Sequence, residues 1–353
     1  MSVEILGLCI ASFMGSWLIV AIVRRWAMHY LLDVPNERSS HTTPTPRGGG
    51  VGIVLMTLIP LTFFLGNSEN FSTLAVFGIA LIVAVVGWLD DRYSLPAVGR
   101  LLFHAILTIA AVLLVGAVTI VTLPILGSVI LAPIIALLIA AIWIIGMTNI
   151  YNFMDGIDGI AGTQALIAGV GWMLLLWSED RLLALAVGLI AASSAGFLML
   201  NRPKAKIFMG DVGSTFLGFV LAIIPVLVFQ KTGSGRSLVV GFLMVAPFAL
   251  DGGFTIIRRA VQRENVLRPH RSHIYQRLIK LGYSHLQITS LYGVFAFLSV
   301  TCAILYAVTI DTTLMIVALL VPIMVFVLMI VGTTMMEHHH RMTQSLKTSA
   351  SLS

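Results

Sequence analysis

Asn149, Asn152, Asp155 and Asp158 recur at every third position of the run Asn-Ile-Tyr-Asn-Phe-Met-Asp-Gly-Ile-Asp-Gly-Ile-Ala-Gly, between two long apolar segments. Two carboxylates and two carboxamides beside lipid call for a ligand or for buried partners. Neighbouring members of the series share a face of an α-helix. The whole series aligns only if the turn tightens towards a 3₁₀ helix. Gly156, Gly159 and Gly162 leave room for close approach of a phosphate or a backbone. Asp158 alone could cap the following helix, but capping explains one aspartate rather than the set.

Further motifs carry charge, some acidic and some basic. Asp90 and Asp91 close the sequence Gly-Trp-Leu-Asp-Asp-Arg. Adjacent carboxylates both stay ionised only beside a cation. A hard divalent ion with oxygen ligands suits them, Mg²⁺ with Mn²⁺ as substitute, and Arg92 is the alternative neutraliser. Asp211, in Phe-Met-Gly-Asp-Val-Gly-Ser, opens a helix, where it can serve as cap, as metal ligand, or as both. The loop from Arg268 to Arg277 holds His270 and His273 among arginines, a composition matched to phosphate oxygens. Arg47 follows a proline-rich stretch and precedes three glycines, as in a rigid loop meeting a phosphate. Asp251 lies in an apolar stretch next to Gly252 and Gly253, which suggest a kink, and its role is open.

The elements that must position these residues are membrane helices. Of 353 residues, 58% are hydrophobic and 10% charged. Apolar runs of bilayer-spanning length recur, at 5–23, 48–66, 72–89, 101–120, 129–148, 163–178, 182–200, 214–230, 237–257, 287–309 and 312–334. The fold expected is an all-α polytopic membrane protein of about eleven transmembrane helices, or ten if 287–334 is divided otherwise. It forms one integral-membrane domain over 1–336 with a polar, disordered tail at 337–353. The first segment carries Glu4 and no basic residue ahead of it, so it is expected to remain as an anchor rather than be cleaved.

With the N-terminus periplasmic, 18 of the 21 lysines and arginines fall on the cytoplasmic side, as the positive-inside rule requires. Orientation and anionic lipid headgroups then account for the net charge of +6 without a nucleic-acid partner. Cys9 and Cys302 both lie in apolar spans, so no disulfide framework is expected. The acidic motifs collect in five cytoplasmic loops, at 24–47, 90–100, 149–162, 201–213 and 258–286. A site built from loops on one face suits an enzyme; an ion-coupled transporter using intramembrane aspartates such as Asp251 is the alternative. Carboxylates for a divalent cation, basic groups for phosphate and glycines for close approach point to phosphoryl transfer. The donor would be a soluble nucleotide and the acceptor a lipid.

These motifs, in this order, resemble the polyprenyl-phosphate N-acetylhexosamine-1-phosphate transferases, which initiate peptidoglycan, O-antigen and related polymers. The likeness runs from about Asp33 to Arg277. It is most specific in Asn-x-x-Asn-x-x-Asp-Gly-x-Asp-Gly at 149–159 and Phe-Met-Gly-Asp-x-Gly-Ser at 208–214. It implies transfer of a sugar 1-phosphate from a UDP-sugar to undecaprenyl phosphate, release of UMP, dependence on Mg²⁺ and residence in a bacterial inner membrane, as a monomer or homodimer. By the same resemblance, Asp211 is the principal metal ligand, with Asp90 or Asp91 sharing the metal or activating the lipid phosphate. Asn152 and Asp155 line the catalytic centre, Asp158, Asn201 and Phe208 surround the uridine, and His270 and His273 meet the sugar or diphosphate. Arg47 and Arg268 are basic groups on the substrate side. The family's Asp-Asp-x-x-Lys is here Asp-Asp-Arg-Tyr-Ser, and the consecutive histidines of the muramoyl-pentapeptide enzymes become His-Arg-Ser-His. A simpler donor is therefore expected, UDP-N-acetylglucosamine or a 6-deoxy relative.

Overall fold

The computed structural model describes residues 3–35, 43–65, 71–264 and 271–352. His270 and Arg268, expected at the site, lie outside the described residues. The chain begins with helix α1 (Val3–Tyr30), followed by the short paired strands β1 (Leu32–Asp33) and β2 (Thr45–Pro46). Helices α2 (Gly50–Leu65), α3 (Phe71–Tyr93) and α4 (Ala97–Val115) come next, and then a hairpin of β3 (Ile120–Leu123) and β4 (Gly127–Ile130). Four long helices follow, α5 (Pro133–Met154), α6 (Ile160–Leu176), α7 (Arg181–Asn201) and α8 (Asp211–Thr232). The chain ends with α9 (Ser237–Met244), α10 (Ala246–Val261), α11 (Ile274–Lys280), α12 (His285–Val308) and α13 (Thr312–Leu352).

The protein is an all-α multi-pass membrane protein. Among the described residues, eight helices are long and apolar enough to cross a bilayer, or nine if α9 and α10 make one broken span. The two remaining segments of the eleven expected, 48–66 and 163–178, form the shorter apolar helices α2 and α6. α8 is the axis of the bundle, with the residues from Val212 to Phe229 all buried. Glycines let its neighbours approach: a Cβ on Gly87 of α3 would strike the Asp211 carbonyl, and one on Gly50 of α2 would strike Gly213. Small residues at helix contacts are the usual means of tight packing where lipid removes the hydrophobic drive. Outward-facing side chains are large and apolar, for example Leu18 on α1, Phe103 on α4, Ile142 on α5 and Val294 on α12.

Three boundaries differ from the sequence reading, each for a local reason. α4 stops at Gly116, short of the expected 120, at a φ of +91° in a region that glycine adopts freely, and the connection to α5, expected at 121–128, is an antiparallel hairpin that pairs Ile120 with Ile130. The kink expected at Gly252-Gly253 occurs instead at Val245, where α9 and α10 meet at 85°. Pro247, in the first turn of α10, has no N–H to continue a helix from α9. The polar segment from Glu337 is helical rather than disordered, continuing α13. It contains no glycine or proline, and Glu337 is anchored at its start by Arg277, with N···O distances of 2.9 and 2.8 Å.

Candidate functional site

The carboxylates meet at one end of the bundle, where helices α3, α5 and α7 finish and α2, α4, α6, α8 and α12 begin. The turn between α5 and α6 supplies the first of them. α5 keeps its α-helical pitch through Met154 and ends there, so the four residues do not align along one tightened turn, and Asn149 and Asn152, though on one face, take different partners. Asn149 turns back to the Ile145 carbonyl at 2.8 Å, while Asn152 donates to Ser214 Oγ at 3.0 Å. Gly159, at φ +80°, takes the N-cap position of α6 that Asp158 was a candidate for. Asp158 instead accepts from the Ala205 N–H at 3.0 Å and pairs with His285 Nδ1 at 3.2 Å. The turn is braced from behind: Tyr151 donates to the Ala161 carbonyl, Thr289 to the Asp158 carbonyl, and Asn201 Oδ1 receives the Gly159 N–H.

Asp90 and Asp91 face different partners. Asp91, 2% exposed, accepts the Asp211 and Val212 N–H groups, each at 3.1 Å. It therefore caps α8 from another helix, with Asp211 as the first helical residue and Gly210 before it at φ +76°. A Cβ on Gly210 would crowd the Asp91 carboxylate, so the glycine is a steric requirement of this cap. Asp90 accepts the Leu95 N–H at 2.7 Å and a charge-assisted bond from Arg100 Nη1, which also reaches Asp211 Oδ2 at 2.9 Å. Arg92 does not neutralise the pair; its guanidinium lies over Trp88 and Tyr93. Arg47 does so from the other side, donating to the Asp91 carbonyl at 2.6 Å with Nε 3.8 Å from its carboxylate. The loop carrying Arg47 is pinned by strand-like bonds, Phe208 N–H to Pro46, Gly49 N–H to Phe208 and Gly50 N–H to Met209.

These segments enclose a cavity of about 380 Å³. Of the expected residues, Arg47, Asp91, Asn152, Asp155, Asp158, Asn201, Phe208 and Asp211 line it. Asp90 and His273 do not. Asp90 is turned towards Arg100 and the 95 amide. His273, 2% exposed, starts α11 with its ring 3.3 Å from Asp251 behind the cavity wall. Asp33, Ser214, Gln276 and His285 also line the cavity without having been singled out from the sequence, and Arg100 bridges the cavity's Asp211 to Asp90 outside it. A signal for Arg100 existed: a cation in the first turn of a helix opposes the macrodipole and needs an acidic partner.

The Asp155 carboxylate has no hydrogen-bond partner among the described residues; its backbone N–H bonds the Asn152 carbonyl at 3.2 Å. Burial, followed by the charges of Asp211, Asp91 and Asp158, pushes its carboxyl well above the usual carboxylate range. The cavity thus holds more negative charge than its own arginines balance. No cluster of three or more acidic, histidine or cysteine side chains forms a protein-only metal cage among the described residues. Mg²⁺ commonly uses one or two carboxylates and completes its shell with water and substrate phosphates. Asp155, and the oxygen of Asp211 not given to Arg100, fit that requirement. Asp91 fits it less well, since its oxygens are occupied by the α8 amides.

Asp251 explains how the wall is held. Fully buried, it accepts the Ile274 N–H at 3.0 Å, the Tyr275 N–H at 3.4 Å and the Tyr292 hydroxyl at 2.5 Å. It also lies within 3.3 Å of Thr255 Oγ1 and His273 Nδ1. Tyr275, so fixed, donates to the Phe153 carbonyl at 2.9 Å and packs against Gly156. The intramembrane aspartate is a structural clamp beneath the Asn152–Asp158 turn, which leaves the transporter alternative without its central residue.

A family model described as glycosyl transferase family 4 matches residues 73–229. A Bacillus subtilis (strain 168) protein named "Probable undecaprenyl-phosphate N-acetylglucosaminyl 1-phosphate transferase" is 30% identical over 92% of this chain and 91% of its own length. A Mycolicibacterium smegmatis decaprenyl-phosphate N-acetylglucosaminephosphotransferase is 30% identical over 78% of this chain and 74% of its own. An undecaprenyl-phosphate alpha-N-acetylglucosaminyl 1-phosphate transferase of Thermotoga maritima is 33% identical over 70% and 74%. With its motifs gathered around one cavity and its likeness to the Bacillus subtilis relative extending over 92% of its length, the chain belongs to glycosyl transferase family 4, among the polyprenyl-phosphate N-acetylhexosamine-1-phosphate transferases.

Proposed function

We propose that the protein transfers N-acetylglucosamine 1-phosphate, or the 1-phosphate of a close N-acetylated relative, from its UDP-sugar to undecaprenyl phosphate, releasing UMP. The observation that carries this reading is the placement of Asp91, Asp155, Asp158 and Asp211 with Arg47 around one cavity at the end of an apolar bundle. The names of the relatives support the polyprenyl phosphate and the N-acetylglucosamine. The excess of basic residues on the same side supports a cytoplasmic site in a bacterial inner membrane. The lipid-linked sugar would initiate a surface or cell-wall polysaccharide.

In the net reaction an oxygen of the lipid phosphate bonds to the sugar-bearing phosphorus of the donor. The diphosphate bridge breaks and its electron pair leaves with UMP. A divalent cation held by Asp211 and Asp155 would supply charge neutralisation for the donor diphosphate in a cavity that is otherwise acidic. The chain's own groups do the positioning. Arg47 offers a half-buried guanidinium to phosphate oxygens. Arg100, held at Asp90, fixes the orientation of the Asp211 carboxylate. Asn152 is presented by Ser214 towards the diphosphate. The second cavity, of about 500 Å³, shares Asp158, Phe208 and His285 with the first and adds Lys204. It is suited to a nucleoside, with the Phe208 ring as a stacking face and Lys204 as an attraction for anionic substrates.

A membrane assay with undecaprenyl phosphate and a panel of UDP-sugars tests the reading. UMP is expected from UDP-N-acetylglucosamine or a 6-deoxy relative, to stop with EDTA and to return with excess Mg²⁺. Activity unaffected by EDTA would exclude the metal assignment, and absence of UMP with every sugar would exclude the transferase.

A further inference from the structure

The helices that gather the carboxylates at one end leave a separate cavity at the other. α8 runs 22 residues from Asp211 to Thr232, about 33 Å at about 1.5 Å per residue, close to the roughly 30 Å of a bilayer's hydrocarbon core. Between the far ends of α6, α8 and α12 and the start of α9 lies a cavity of about 370 Å³. It far exceeds the roughly 10–15 Å³ that one water needs.

Two of its lining groups are buried without partners. Trp172 is 1% exposed and Ser237 2%, and neither the indole Nε1 nor the serine Oγ has a hydrogen-bond partner. Buried polar groups in native proteins are nearly always paired, so this pair points to a ligand. Arg236 lines the same cavity. Its Nη1 caps the end of α12, bonding the Tyr306, Ala307 and Thr309 carbonyls at 3.3, 3.1 and 2.6 Å. Its remaining guanidinium N–H groups make no hydrogen bond among the described residues. Indole and guanidinium are donors only, and the serine hydroxyl can donate. The complementary ligand is rich in acceptor oxygens and anionic. Glu179, exposed at the rim with no side-chain partner among the described residues, matches a cationic group on the same ligand. Val228, Val240 and Val308 give the cavity an apolar wall at membrane depth.

We propose that this cavity binds the phosphoethanolamine headgroup of a membrane phospholipid, in the leaflet opposite the carboxylate site. The phosphate meets Trp172, Ser237 and Arg236, the ammonium meets Glu179, and the glycerol end lies along the valines. The site is independent of the transfer reaction and of its donor.

Full-length protein in dodecyl maltoside, titrated with dihexanoyl phosphatidylethanolamine and read by native mass spectrometry, tests this. One molecule is expected to bind saturably. Trp172→Phe, which keeps most of the ring bulk, and Ser237→Ala are each expected to weaken binding about tenfold, the loss of one hydrogen bond to a charged group. Ser237→Ala breaks no bond within the protein, so its melting temperature without lipid should match the parent, which keeps the test open if the tryptophan variant folds poorly. Inorganic phosphate and dihexanoyl phosphatidylcholine, titrated separately, are expected to bind at least about tenfold more weakly. The proposal is overturned by absence of saturable binding, by affinities of the two variants that equal the parent's, or by inorganic phosphate or the choline lipid matching the ethanolamine lipid.

Discussion

Asp211→Asn is expected to lower turnover by about 10²–10³-fold, the range seen when one preorganised electrostatic group is removed from an active site. The substitution keeps the shape of the side chain and its acceptor for Arg100, while removing one of the negative charges that crowd Asp155. The α8 cap does not depend on it, because the Asp211 side chain is not the capping group; Asp91 is. Loss of activity should therefore come with a nearly unchanged melting temperature and with weaker dependence of the residual rate on Mg²⁺. Turnover within about threefold of the parent would remove Asp211 from the reaction centre.

Asp251→Ala is expected to produce the opposite pattern, a large loss of stability at a residue that never meets substrate. Two backbone amides, two hydroxyls and an imidazole surround that carboxylate. At about 1–3 kcal/mol for each buried donor left without an acceptor, a total loss of at least about 3 kcal/mol is expected even after partial relaxation. Thermal unfolding in detergent measures it directly. Because Tyr275 links α11 to Phe153 and Gly156, the surviving folded fraction should also turn over more slowly. Asp251→Asn, which retains one acceptor oxygen, should fall between alanine and the parent. A melting temperature unchanged by alanine would show that the clamp does not hold the wall.

The contrast between these two aspartates shows which parts of the site were legible in the sequence. Asp155, Asp158 and Asp211 stand in short motifs whose residue types are improbable beside lipid, so composition and spacing exposed them. The sidedness of the basic residues then brought five loops to one face, and the structure gathers those loops around one cavity. What local pattern could not supply is the choice of partner across long separations. Asp91 caps a helix that begins 120 residues later, and nothing near position 91 announces it. Arg100 is one of the 18 basic residues that the sequence places on the cytoplasmic side, and only its position in the first turn of α4 marks it as electrostatically unusual. His273 is expected from the sequence to meet the sugar or diphosphate; its burial against Asp251 depends on how α10, α11 and α12 meet. The hairpin between α4 and α5 was not foreseen in the 121–128 connection, because Ile120, Val121 and Leu123 form too short an apolar run to tell a strand from the end of a helix.

The proposed reaction moves a phosphate together with the sugar. A UDP-N-acetylglucosamine donor labelled with ³²P in the sugar-side phosphate, incubated with the purified protein, Mg²⁺ and undecaprenyl phosphate, separates this from ordinary glycosyl transfer. The label is expected in the lipid fraction, in amounts equal to the UMP released. Label retained on UDP, with the sugar alone reaching the lipid, would contradict it.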